Sequence, residues 1–387
     1  MDGLSAEEIL SQRLRKRFNE NSFRTLRPAD FSKADFSSND YLGFARSGKL
    51  ADACNVAWAR AQSQGAGRFI GSGGSRLLSG DSAYAHYLEE VIAEFFGSDS
   101  SLVFNSGYTA NLALFSALPS RTGTVIYDDL IHASVRDGIR MSGCRAWSFR
   151  HNDLNHLEDL LVKSTGEKWV VAETIYSMDG DSPDLKKLVE LCEYYNAALI
   201  LDEAHSGGIY GEHGCGLVAH NGLEKRVFAR LFTFGKAFGV HGAAVCGSHT
   251  LINYLINFAR PFIYSTALPI HDLSAIRCSL QYSEESEQLR SDLKRVVDYF
   301  RLTVSASTLK TKLISSESPI QGIIIPGNQD VRRVAEACQQ AGLDARPVLS
   351  PTVKAGSERL RIILHAYNTN TEIDKLISTV SAALVDK

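Results

Sequence analysis

Short apolar runs alternate with longer amphipathic stretches from about Ser101 onward. SLVF, TVIYDD, KWVVAETIYS, AALILDEAHS and RLFTFGKA have strand length and are rich in β-branched and aromatic residues. The stretches between them suit helices, and this rhythm predicts a mostly parallel sheet covered by helices. The runs are apolar at nearly every position, the pattern of strands buried on both faces. Charged and hydroxyl residues gather at their C-terminal ends, where open α/β sheets hold their ligands.

Beyond Pro269 the pattern changes. A long polar helix through Val297, the run IQGIIIP, a helix over 330–341, the runs DARPVL and RLRIILH, and a last helix from Thr371 predict a small α+β lobe. The glycine-rich stretch 65–80 reads as a loop. A chain of 387 residues exceeds one compact core, so we expect an N-terminal segment over 1–45, a large domain over 46–270 and a small domain over 271–387.

Composition adds mainly exclusions. Hydrophobic residues at 44% and charged residues at 22% are ordinary for a globular protein. A net charge of -3 with both signs interspersed offers no basic stripe for nucleic acid and no patch for anionic lipid. The 7 cysteines are odd in number and hold no C-x-x-C pair, which fits reduced thiols in a cytoplasm. The opening MDGLSAEEILSQRLRKRF lacks the apolar run of a secretory signal, and no later run has membrane-spanning length. No zinc-ligand spacing, P-loop, G-x-G-x-x-G or G-x-S-x-G is present, so no metal is expected.

Chemistry concentrates at two strand ends. Asp202 follows AALIL in LDEAH, where a carboxylate is costly unless paired; alone, such an aspartate caps a turn as readily as it serves a ligand. Lys236 sits in TFGKAFG between Gly235 and Gly239, after another apolar run, which is an unusual setting for a solvated surface lysine. A lysine for a Schiff base and a carboxylate that keeps a pyridine nitrogen protonated together suit pyridoxal 5'-phosphate (PLP). FNSGYTANLALFSAL supplies a strand, a Ser-Gly turn and a helix start, so Ser106, Gly107 and Tyr108 are placed to cradle the phosphate.

The segments SSNDYLGF, GSGGSRLLSG, FNSGYTAN, DDLIHASVRDGIRMSG, RHND, ETIYSMDGD, DEAH, TFGKAFGVHGAAVCG, IYSTALP and RLRIILHAYN occur in order from Ser37 to beyond Arg359. Together they resemble the α-oxoamine synthases, PLP enzymes of the PLP-dependent transferase fold type I. The resemblance implies a seven-stranded, mostly parallel sheet in the large domain and an acyltransferase reaction. In it an amino acid condenses with an acyl thioester, on coenzyme A or an acyl carrier protein, with loss of carbon dioxide.

Residue by residue, the resemblance makes Lys236 the cofactor lysine, Asp202 the partner of the ring nitrogen and His205 a donor to the ring hydroxyl. His132 matches the histidine stacked on the ring, Ser177 a residue near the ring hydroxyl, and Thr233 a phosphate ligand. Arg361 matches the arginine that grips the substrate carboxylate, a task for a bidentate guanidinium, and Asn39 a substrate-side residue. Tyr264, Ser265 and Thr266 match residues that close the phosphate site of a neighbouring subunit, which implies a homodimer with shared active sites.

Within the family, SNDYLG and TFGKAFGVHGAAV look most like the biotin-pathway branch, which joins L-alanine to a pimeloyl thioester. Other branches using glycine or serine, an aminotransferase, and a non-catalytic subunit are the alternatives. Two departures, Ser206-Gly207 for a usual Gly-Thr and Lys354 after Pro351-Thr352-Val353, are expected to lie near the substrate mouth.

Overall fold

A computed structural model describes residues 4–26, 28–63 and 70–385 of the chain. These fall into two compact units, one of residues 39–177 and 181–291, the other of residues up to Ser38, 178–180 and from Asp292 on.

Among the described residues, seven strands form the sheet of the larger unit. They are β1 (Ser100–Phe104), β2 (Thr124–Asp128), β3 (Arg145–Phe149), β4 (Lys168–Glu173), β5 (Ala198–Asp202), β6 (Ala229–Thr233) and β7 (Ala243–Gly247). Their spatial order is β1-β7-β6-β5-β4-β2-β3. β7 runs antiparallel to both its neighbours and the other pairings are parallel.

Alternate strand residues face opposite sides of the sheet and feed three buried clusters, two of which surround the parallel strands and a third of which takes Val103, Phe232, Ala244 and Cys246. Leu102, Val125, Val171, Ile200 and Leu231 pack with the helices Gly107–Ala117, Ala133–Ser142 and His249–Phe258. Ile126, Val170, Ala172, Leu199 and Leu201 pack with Leu154–Lys163 and Leu185–Tyr194. Burial on both faces is why these strands read as unbroken apolar runs. β3 and β7 were not visible as such runs: β3 is one of the two edge strands and, unlike the covered edge strand β1, is exposed along most of its length, so RAWSF carries no apolar block.

The smaller unit has a three-stranded antiparallel sheet built from β8 (Ile320–Ile324), β9 (Arg346–Val348) and β10 (Arg359–Ile363), with β10 in the middle. The helices Asn328–Gln340 and Asn370–Val385 belong to the same unit. Ala34–Asp35 pairs in parallel with Leu343–Asp344, and Ile363 N–H donates to the Phe36 carbonyl. The N-terminal residues up to Ser38 are therefore part of this unit rather than a separate segment.

The expected boundary at 270/271 moves to 291/292, because helix Ile270–Glu284 packs on Gly48–Ser63 and Ala83–Phe95 of the larger unit. The expected long helix through Val297 is likewise two helices, Ile270–Glu284 and Glu287–Ser305. Ser286 causes the break. Its hydroxyl donates to the Tyr282 carbonyl at 2.6 Å, while its N–H goes to Ser283. The side chain thus takes the acceptor that a continuing helix would offer its backbone.

The stretch 70–80 is a loop, as expected, and 65–69 lie outside the described residues. Among the described residues no helix is long and apolar enough to cross a membrane.

RHND has a structural task in the larger unit. Asp128, fully buried at the end of β2, meets His151 Nδ1 at 2.9 Å, and Asp181 meets Nε2 at 2.8 Å. Burial opposes charge on His151, but the bonds to Asp128 and Asp181 outweigh it and push the imidazole up to about 10. A folded-state value above the unfolded one of about 6.5 means this contribution is complete below that pH and is lost as pH rises through 10. The stability gap between the protein and His151→Asn in urea unfolding should therefore be widest near pH 6 and narrow by pH 10.

Candidate active site

Nine expected residues line one cavity of about 290 Å³ at the C-terminal edge of the sheet in the larger unit: Asn39, Ser106, Gly107, Tyr108, His132, Asp202, His205, Thr233 and Lys236. Each arrives where a strand ends. Asp202 closes β5 and Thr233 closes β6, while Ser106 follows β1 and caps helix Gly107–Ala117 by accepting from Thr109 N–H. That leaves the first N–H groups of the helix without intrahelical acceptors.

Asp202 organises the polar contacts. Its Oδ1 accepts from Ala204 N–H at 2.9 Å and its Oδ2 from Asn111 Nδ2 at 2.9 Å. Asn111 Nδ2 also donates to Ser134 Oγ at 3.0 Å, which leaves the Ser134 hydroxyl to donate to His132 Nδ1 at 2.7 Å. His132 caps the helix Ala133–Ser142 through the same nitrogen, so Ser134 holds the ring through both its hydroxyl and its N–H. Burial pushes the His132 imidazole down, aided by the charge of Lys236 and opposed by Asp202, which favours the neutral ring.

Glu173, directly across from Asp202 in the strand register, lines the cavity as well. Burial, and then Asp202, push its carboxyl up to about 8. Its Oε2 accepts from Ser177 N–H at 3.3 Å, and its Oε1 is buried without a hydrogen-bond partner.

Lys236 Nζ lies 2.8 Å from His205 Nε2, and His205 Nδ1 lies 2.6 Å from the Tyr41 hydroxyl. The turn after Lys236 needs glycine at Gly239. Its φ is +67° and a Cβ there would strike the backbone of Phe44 and Ala45. This close approach brings the SNDYLGF segment against the lysine.

The cavity fits PLP. Thr233 Oγ1 is buried without a hydrogen-bond partner, and a Cβ on Gly107 would collide with the Thr233 methyl, so Gly107, the helix start and Thr233 leave a cradle for phosphate. An amine at Lys236 and a donor-stabilised carboxylate at Asp202 complete what an aldehyde and a pyridine nitrogen need.

The other expected residues are placed elsewhere. Ser177 contacts Glu173 through its backbone and is not among the cavity-lining residues. Thr266 accepts from Asn105 Nδ2 at 3.0 Å and, with Ser265, lines a different recess; Tyr264 is exposed under Arg260. Arg361 is half-buried on β10 in the smaller unit, where Arg359, on the same strand face, is paired with Asp179.

Ser206 is not at a mouth but fully buried. It donates to Glu203 Oε2 at 2.8 Å and shares a 2.8 Å bond with Thr174. Sequence reasoning missed Tyr41, Asn111, Ser134, Glu173 and His241. Asn111 had a signal, as a polar residue inside ANLALF, and so had Glu173, as a second acid at a strand end.

The model of the family described as aminotransferase class I and II matches residues 32–380. The chain belongs to that family. A curated relative, the 8-amino-7-oxononanoate synthase of Emericella nidulans, is 37% identical over 97% of this chain and 95% of its own length. A solved 8-amino-7-oxononanoate synthase from Francisella tularensis is 29% identical with a TM-score of 0.78, covering 92% of this chain and 99% of its own. An SPT structure solved with PLP is 25% identical with a TM-score of 0.88, covering 99% and 98%. These likenesses and the sheet order agree with the expected fold type I.

Asn111→Ala would leave Asp202 Oδ2 short of one donor and release Ser134 from Asn111. Losing a hydrogen bond to a buried charge costs about 1.5–3 kcal/mol. Titration of the apoprotein with PLP should then show affinity weakened by roughly tenfold or more, with the melting temperature lowered as well, since the bond is already made in the folded chain.

Proposed function

We propose that the protein is a PLP-dependent acyltransferase that condenses L-alanine with a pimeloyl thioester, giving 8-amino-7-oxononanoate, carbon dioxide and free thiol. The observation that carries the chemistry is the convergence of the Lys236 amine and the Asp202 carboxylate on one cavity beside the Gly107–Thr233 cradle. The substrate pair rests on the similarity to 8-amino-7-oxononanoate synthases along nearly the whole chain.

PLP, when bound, supplies an aldehyde for the lysine and a ring that draws electron density from the substrate's α-carbon. The residues do the rest. Ser106, Gly107, Tyr108 and Thr233 hold the phosphate through N–H and hydroxyl donors. The Asp202 carboxylate, held in place by Asn111 and Ala204, would pair with the ring nitrogen and favour a proton there. His132 and His205 would contact the ring and its hydroxyl, and Ser177, which does not line the cavity, would act towards that hydroxyl from behind Glu173. Lys236 would hold the cofactor's aldehyde and, as a general base, would take the substrate's α-proton and return one after carbon dioxide has left. Arg361 grips the alanine carboxylate and Asn39 lies on the substrate side.

Thr266, with Tyr264 and Ser265, is assigned to the phosphate site of a second copy. Its place away from its own chain's cavity supports that assignment, and a homodimer follows from it. The acyl group is carried on coenzyme A or an acyl carrier protein, and scattered unpaired cysteines fit a cytoplasmic setting. One observation favours a second reading: the higher TM-score is to SPT, which points to another branch of the same chemistry.

Release of carbon dioxide and thiol, measured with alanine, glycine and serine against pimeloyl, acetyl, succinyl and palmitoyl thioesters, should be greatest for alanine with pimeloyl. Preference for serine with palmitoyl would move the protein to the second reading. Lys236→Ala should fold, lose the absorbance of lysine-bound PLP and lose at least roughly 10²–10⁴-fold in turnover; normal turnover would exclude this role for Lys236.

A further inference from the structure

Away from the Lys236 cavity, two thiols meet on the seam between helices Gly48–Ser63 and Ile270–Glu284, which pack on each other in the larger unit. Contacts along the seam run antiparallel. Lys49 Nζ lies 3.2 Å from Glu285 Oε2 near one end, and the rings of Trp58 and His271 meet edge to face with centroids 5.2 Å apart near the other. Between these two contacts Cys278 Sγ lies 3.7 Å from the carbonyl oxygen of Ala53, and the thiols of Cys54 and Cys278 share a hydrogen bond. Both cysteines are half-buried, whereas Cys192, Cys246 and Cys338 are buried.

The two sulfurs are not equivalent. A cysteine reacts as its thiolate, and a neighbouring donor or cation favours that form. The hydrogen bond from Cys54 pulls the Cys278 thiol down to about 7, with Arg277 acting in the same direction and burial against it; the same bond pushes the Cys54 thiol up. Cys278 also lines a recess, where the charged and titratable groups among the described residues are Asp52, Arg60, Asp81, Tyr84, Tyr87 and Arg277. A small reactant has a path to its sulfur from that side.

We propose that Cys278 and Cys54 are a peroxide-reactive pair, with Cys278 as the attacking thiolate and Cys54 as the thiol that resolves it into a disulfide between the two helices. In the first step the Cys278 sulfur attacks one oxygen of a hydroperoxide. The O–O bond breaks, the other oxygen leaves as an alcohol, or as water from hydrogen peroxide, after taking a proton, and Cys278 becomes a sulfenic acid. In the second step the Cys54 sulfur bonds to the Cys278 sulfur, and the hydroxyl leaves with the Cys54 proton as water. Two thiols together lose two electrons and one peroxide gains them. Neither cysteine lines the Lys236 cavity, so the inference stands apart from the reaction proposed above.

The test treats the full chain with an equimolar amount of hydrogen peroxide at pH 7, alkylates the remaining thiols and maps the tryptic peptides without reductant. Peptide Leu50–Arg60 should appear joined to Cys278–Arg290, with two of the 7 thiols lost and both recovered with dithiothreitol. Cys278 should be consumed roughly tenfold faster than Cys144, which is half-buried as well. Cys54→Ser should stop at the sulfenic acid of Cys278, captured by dimedone, and Cys278→Ser should leave Cys54 reduced.

Oxidation spread evenly over the half-buried cysteines would overturn the proposal, as would cross-links that form only between copies of the chain or a Cys278→Ser protein in which Cys54 still oxidises at the original rate. If a variant does not fold, the peptide map of the unaltered protein decides alone: the joined peptides are either present or absent.

Discussion

The carboxylate of Asp202 is the constraint from which most of the cavity follows. It stands at the end of a strand buried on both faces, and a charge there is tolerated only with donors on both oxygens. Ala204 supplies one through the tight turn after β5. Asn111 supplies the other and passes its second proton to Ser134, which in turn fixes His132. One buried charge thus sets the orientation of a ring that comes from a different strand-to-helix connection. It also acts on Glu173, whose carboxyl is pushed up by burial first and then by the neighbouring charge of Asp202.

The sheet makes this economy possible by synchronising strand ends. Glu173 and Asp202 are register partners, and Thr233 closes the next strand. β7 reverses direction between β6 and β1, and the parallel direction is then restored at β1. The Ser106 turn therefore emerges on the same edge as Thr233, close enough for a side chain on Gly107 to be excluded. A shift of one residue in any of these strands would turn its last side chain to the opposite face, so the apolar cores that fix the register also fix the chemistry.

Much of this was legible in the sequence because it depends on local order. The five apolar runs are strands, and the residues at their ends converge as open α/β sheets require. What was not legible depends on neighbours distant in sequence. Tyr41 reads as one aromatic in SNDYLGF, and only the fold shows it against His205, 164 positions away. β3 carries no apolar block because it is the exposed one of the two edge strands, and which edge is left uncovered is a property of the fold rather than of RAWSF. The break at Ser286 is different: a serine in a polar helix is common, and only the fold shows its N–H turning to Ser283 instead of Tyr282.

The adjacent acids of DEAH show why residue type alone does not locate chemistry. Asp202 and Glu203 are both buried, yet they face different environments. Asp202 turns to the cavity. Glu203 turns away, where it accepts from Ser206 and from Val218 N–H and lies 3.7 Å from the buried Arg230, while burial still pushes its carboxyl up. Ser206, a departure that by sequence suggested altered specificity, is a donor for this second acid. The side chain of Ser206 therefore serves a buried acid and is not among the residues that line the cavity.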